Sequence, residues 1–165
     1  MPRQRQSKRY AYAMFSGPHR DRNYAAIGLV WETGCTVDQL IALRCDDLSD
    51  HSIFVGNRLV RLAADLPTRL SILARDCAGH EHLLRGVRTP ALAEKVLRRA
   101  LSAAAECAGI ADVRLSGIRR AHAVHRFELG ERVKDIAADI GMAEFSTYRS
   151  LRGLPTGADG ESYHS

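Results

Sequence analysis

Between Leu115 and Gly130 the chain reads LSGIRRAHAVHRFELG, which places Ser116, Arg119, Arg120, His122, His125 and Arg126 within about three helical turns. Guanidinium groups recognise phosphate through paired hydrogen bonds, and imidazoles exchange protons near neutral pH. The outline is that of a phosphoryl-transfer motif, H-x-x-R-H, with Ser116 at the first histidine and Arg120 at the second. Arg119 alone keeps its type. His122 and His125, three residues apart on a helix, could also face a metal, but no third ligand stands at a sensible spacing, so no metal site is expected.

The elements that must position these residues can be read from apolar periodicity. Residues 116–129 form an amphipathic helix with Ile118, Ala121, Val124 and Leu129 expected inward, ended by Gly130. Upstream, NYAAIGLVW predicts a helix stopping near Gly34, and Val37, Leu40, Ile41 and Leu43 predict a second. The polar run Asp46-Asp47-Leu48-Ser49-Asp50 breaks the pattern. Ile53-Phe54-Val55 and Leu59-Val60-Arg61-Leu62 flank Gly56-Asn57-Arg58 as a β-hairpin. Helices are predicted from Pro67 to Cys77, from Ala91 to Ala108 before Gly109, from Val133 to Ile140, and from Ala143 to Leu151. The expected class is α+β, mostly α-helical, with one small β-hairpin. Three parts are expected: a basic N-terminal arm (1–20), a folded domain (21–153) and a flexible tail (154–165).

The composition, 45% apolar and 26% charged over 165 residues, is that of one globular domain and excludes a disordered chain. The net charge of +5 favours an anionic partner, with nucleic acid foremost. MPRQRQSKRY holds four basic residues and no acid, suiting either an arm that tracks phosphate or a solubilising tail. No signal peptide or membrane span is readable, so a cytoplasmic protein is expected, with no cofactor. Cys35, Cys45, Cys77 and Cys107 form no C-x-x-C pair and are expected as reduced, structural thiols. Ala137, Gly141 and Arg149 fit a helix-turn-helix pattern, with a small residue four before the turn glycine and a polar second helix.

From about Asp21 to Leu151 the order and spacing of five stretches resemble the catalytic domain of tyrosine recombinases, the phage integrase family. TGCTVDQLIALRCDDL (33–48) resembles the family's first box, and IFVGNRLVRL its β-hairpin. TPALAEKVLRRALSAAAECAGI resembles the helix before the second box, and LSGIRRAHAVHRFELG the second box itself. VKDIAADIGMAEFSTYRSL matches the last one. The resemblance implies a recombinase-like helical fold and departs from the family in its chemistry. The family's first arginine falls on Thr36, its histidine-class positions on Ser116, Arg120 and Met142, and its nucleophilic tyrosine on Leu151. The hairpin has no lysine, and Arg58 nearby is a poor proton donor, because a guanidinium does not readily give up its proton. Tyr148 and Tyr163 could each supply a hydroxyl, but neither replaces the missing arginine clamp.

The expected protein is therefore a catalytically inactive, recombinase-like binder of double-stranded DNA, accessory to a mobile element or a recombinase. Its vestigial positions are Thr36, Ser116, Arg119, Met142 and Leu151. Its expected DNA contacts are Arg3, Arg5, Lys8, Arg9, Arg58, Arg119, Arg120, His122, Arg126, Lys134, Arg149 and Arg152. Family members usually carry an N-terminal domain that closes a clamp on the duplex; with only a short arm there, binding should be weak and salt-dependent. The alternatives are a module that pairs with an active recombinase or with itself without DNA, and a residual strand-transfer enzyme.

Overall fold

The computed structural model describes residues 19–63, 65–111 and 113–141. The arm, the tail, the expected helix over 143–151 and the second half of the helix-turn-helix pattern lie outside the described residues. Among the described residues, six α-helices and a three-stranded antiparallel sheet form the architecture, in keeping with the expected mostly helical α+β class.

Helix α1 (Arg20–Thr33) is the central element, packed against α5 (Leu115–Glu128), α3 (Leu66–Ala74) and α4 (Pro90–Ala108). Its buried set, including Ala25, Ala26, Leu29 and Val30, wraps most of its circumference, as befits a helix covered on several sides. Gly28 permits the close approach of α3: a Cβ there would meet Leu66 Cδ1 at 3.0 Å. The helix ends where Gly34 takes a left-handed conformation (φ 68°) and its N–H bonds the Val30 carbonyl. Two residues later Thr36 opens α2 (Val37–Ala42) with a capping box: its hydroxyl accepts from Gln39 N, and Gln39 Oε1 accepts from Thr36 N. Thr89 caps α4, which begins at Pro90 and ends on left-handed Gly109. Helix α6 (Val133–Ile140) packs on α5 through a small second cluster of Ala123, Ile136, Ala137 and Ile140.

Three expectations are corrected. The polar run after Asp46 does not merely break the pattern: Cys45–Asp47 form a 3₁₀ turn and Leu48–Ser49 pair with Ser52–Val55 as an additional edge strand. Leu48 supplies one of the partly buried apolar contacts that hold this short strand on the core. Strands β1 (Leu48–Ser49), β2 (Ser52–Val55) and β3 (Arg58–Arg61) thus form one sheet in sequence order.

The second correction concerns the inward face of α5. It is Arg119, His122, Ala123 and Val124, whereas Ala121 and Leu129 are exposed. The polar residues turn inward because α1 and α6 bring backbone carbonyls to them, which periodicity of apolar residues does not register.

The third is that Cys45 and Cys77 form a disulfide across 32 positions of sequence, so these two are not reduced thiols. Backbone bonds Cys45 N to Glu81 O, Asp46 N to Gly79 O and Leu83 N to Leu43 O bring the turn and the 75–89 loop together. No local spacing announces that meeting. Cys35 is buried and free, its thiol pKa raised by burial; Cys107 is free and exposed.

Candidate functional site

A cleft of about 810 Å³ opens where the end of α1, the β3 strand, α5 and α6 converge. Trp31 and Glu32 of α1, Arg58, Leu59 and Arg61 of β3, and His122, His125 and Arg126 of α5 line it, with Glu131 and Asp139 on the α6 side. The alternation of the hairpin sends Ile53, Val55 and Arg58 inward and leaves Phe54 and Leu59, directly opposed, on the outer face.

The chemistry of the cleft centres on Asp139. Its Oδ2 accepts from Arg58 Nη1 at 2.8 Å and from Arg126 Nη1 at 2.6 Å, so one carboxylate oxygen joins two guanidinium groups. Arg58 also donates from Nη2 to Thr33 O at 3.0 Å. Arg126 uses its other edge on Glu131, with Nε and Nη2 both bonded to Oε2. The hydrogen bonds from Arg126 hold the Glu131 carboxyl below the usual carboxylate range. Three arginines and three carboxylates line the cleft, so its fixed charges balance.

His122 stands at the back. It is buried, and its Nε2 finds no hydrogen-bond partner among the described residues. Burial first, and then the charge of Arg126, lower its pKa to about 4, so the ring is neutral at pH 7. Gly34 is why it fits: a Cβ there would lie 2.6 Å from His122 Cδ2 and 3.1 Å from Ile140 Cγ2. At the rim, Trp31 stacks on His125 with ring centroids 6.0 Å apart and planes inclined by 25°.

Arg119, the residue that kept its type, does not line the cleft. It is buried behind it, donating from Nε to Gly34 O at 3.0 Å and from Nη2 to Ile140 O at 2.9 Å. Thr36 is committed to the cap of α2, and Ser116 lies exposed at the second position of α5. Arg120 and Lys134 are exposed on α5 and α6. The structure therefore brings Arg58, His122 and Arg126 together and leaves Arg119, Arg120 and Lys134 apart from them. Arg3, Arg5, Lys8, Arg9, Met142, Tyr148, Arg149, Leu151, Arg152 and Tyr163 lie outside the described residues.

Sequence reasoning missed Asp139, Glu131 and Trp31. The one signal for Asp139 is weak, an acid set between Ile136 and Ile140 on a short helix whose inner face is apolar. Among the described residues no group of three or more His, Cys, Asp or Glu gathers as a metal site. No described helix is long and apolar enough to cross a membrane.

No protein-family model matches the sequence, and no curated protein matches it. The fold is similar to that of XerA recombinase in its crystal structure, with a TM-score of 0.63 at 19% identity. The match covers 94% of this chain and 58% of that one. The likeness is one of fold: a recombinase-like helical architecture, spanning about three-fifths of that protein's length.

Proposed function

We propose that this chain is a recombinase-fold DNA-binding protein that neither cuts nor rejoins strands, and serves as an accessory or regulatory factor to a recombinase or a mobile element. The observation that carries the reading is the Arg58–Asp139–Arg126 bridge. Strand transfer needs cations held open toward the scissile phosphate, because most of the rate comes from such preorganised charge. In this cleft two guanidinium groups close on one carboxylate. Thr36, where the resemblance asks for the first arginine, uses its hydroxyl on a helix cap. Affinity for DNA then rests on charge spread over the surface: a net +5, with exposed Arg120 and Lys134 and the basic segment at the N-terminus. The likeness to a recombinase fold makes double-stranded DNA the partner of choice.

Fluorescence anisotropy of a labelled duplex across a salt series tests this reading, with wild type beside an Arg120→Gln, Lys134→Gln double variant. Affinity should fall steeply with salt, and the double variant should flatten the slope by roughly 2 units, about 0.9 for each phosphate that is no longer neutralised. Denaturing gels of the same mixtures should show no covalent adduct. Absence of binding at low salt defeats the DNA-binding reading, and a covalent adduct defeats the inactive one.

A second reading, a protein-interaction module, is favoured by one observation. Phe54 and Leu59 face each other on the outside of the hairpin, 44% and 67% exposed. An apolar pair of that kind suits a partner surface. A recombinase subunit retained by wild type and released by Leu59→Asp, in a protein blind to duplex, would support it.

A further inference from the structure

The cleft that holds the Arg58–Asp139–Arg126 bridge has an exposed tryptophan at its rim that the DNA-binding reading does not use, and that reading takes the bridged carboxylate only as closing the cations to catalysis. We propose that the cleft is a latched nucleotide site, in which Asp139 stands in the place of a phosphate and a nucleoside phosphate displaces it, with the base against Trp31. The inference deepens the DNA-binding reading by naming the ligand chemistry of one site, and rests on that reading for its biological setting.

Three observations carry it. The first is convergence. Nη1 of Arg58 and Nη1 of Arg126 both point at one oxygen, Asp139 Oδ2, from elements far apart in sequence. A phosphate presents several acceptor oxygens to the same two donors where the carboxylate uses one, so it can satisfy the pair at least as well.

The second is charge balance. With three arginines matched by three carboxylates, an arriving phosphate meets no net attraction until a carboxylate moves aside. Asp139 is the one whose departure releases two arginines together, and its side chain is 16% exposed at the wall of the cleft. His122 at the back is neutral and adds no cation of its own.

The third is the aromatic wall. Trp31 keeps 42% of its surface exposed even though His125 stacks on it, and it lines the same cleft as the two arginines. Bases of unpaired strands stack on exposed aromatic rings in proteins that bind them. The volume, about 810 Å³, falls within the roughly 300–1,000 Å³ range of small-ligand sites.

Trp31 is the only tryptophan in the chain, so intrinsic fluorescence reports on the cleft directly. The probes are adenosine monophosphate, inorganic phosphate and a short single-stranded oligonucleotide, titrated into wild type and Asp139→Asn. Adenosine monophosphate should quench Trp31 weakly in wild type and about tenfold more tightly in Asp139→Asn. Inorganic phosphate should compete with it, and adding Arg58→Gln to Asp139→Asn should abolish the gain. Quenching by the oligonucleotide but not the mononucleotide would assign the ligand to an unpaired strand; the reverse would assign it to a free nucleotide.

If Asp139→Asn fails to fold, Glu131→Gln replaces it, since it frees the opposite edge of the Arg126 guanidinium at an exposed position and should give a gain of about threefold. Equal affinities in wild type and variants, or no quenching by either nucleotide probe, overturns the inference. Duplex binding that persists in such a protein leaves the DNA-binding reading intact. Nucleotide binding without duplex binding does the opposite.

Discussion

Arg119 and Arg126 lie on the same helix, two turns apart, and meet opposite surroundings. Arg119 is sealed behind the cleft and donates to the main-chain carbonyls of Gly34 and Ile140. Arg126 lines the cleft and donates to the carboxylates of Glu131 and Asp139. A carbonyl at a helix end cannot leave without moving the backbone, so Arg119 works as a rivet between the end of α1 and the end of α6. A carboxylate side chain can rotate away, so Arg126 keeps partners it can exchange. Identity of residue type thus says little about role. In this fold the arginine that keeps its place in the motif donates to main-chain carbonyls, and the one outside the motif lines the cleft.

Breaking the rivet should have the largest effect. Arg119→Ala leaves two carbonyls unsatisfied beside a buried cavity and should cost about 4 kcal/mol, read as a lower denaturant midpoint at unchanged slope. A loss of under about 1 kcal/mol would erase the contrast with Arg126.

Acid should expose the next difference. The His122 pKa lies at about 4 in the folded chain, against an ordinary histidine value of 6.5. Because the folded value is depressed, the unfolded chain binds the proton first, and stability falls as pH drops from about 6.5 to about 4, then levels off for this group. The full loss is on the order of 3 kcal/mol. Arg126, Arg58 and Glu131 are the charged neighbours that act on the ring, with its hydrogen bond to the Trp31 backbone. Glu131, whose folded pKa is also depressed, contributes stability that is lost lower down, below the ordinary glutamate value of 4.5. Thermal melts between pH 7 and 4 should therefore flatten in His122→Gln; a profile that is unchanged would place the titration elsewhere.

Arg126→Ala should cost less than the rivet, about 2 kcal/mol, because its partners reach solvent and Asp139 keeps Arg58. Thr36→Ala should cost about 1 kcal/mol through loss of the capping box, and should leave any binding in the cleft untouched. Measured together by chemical denaturation, the Arg119 and Arg126 values compare two positions on one face of α5.

Much of the frame was legible in advance because its signals are local. Gly34 and Gly109 end helices where the apolar period stops, and both take the left-handed conformation that glycine allows at little cost. The hairpin was legible from Gly56-Asn57-Arg58, although the turn is Gly56–Asn57 alone and Arg58 opens β3 opposite Val55. The bounds of α6 were readable to the residue. Reading failed where a partner had to arrive from elsewhere. The short β1 strand needs β2 beside it, and the disulfide needs the 75–89 loop folded back on the turn that follows α2.

Where most helices and strands begin and end follows from the chain alone, since capping, glycine conformation and apolar period act within a turn or two. Which way α5 faces, and which arginine meets which acceptor, follow only from packing. Asp139 and Arg58 stand 81 positions apart, and Arg119 and Gly34 stand 85 apart. Contacts at that separation depend on how α1, α5, α6 and the hairpin come together, and residue spacing along one helix carries no record of the surfaces that close on it.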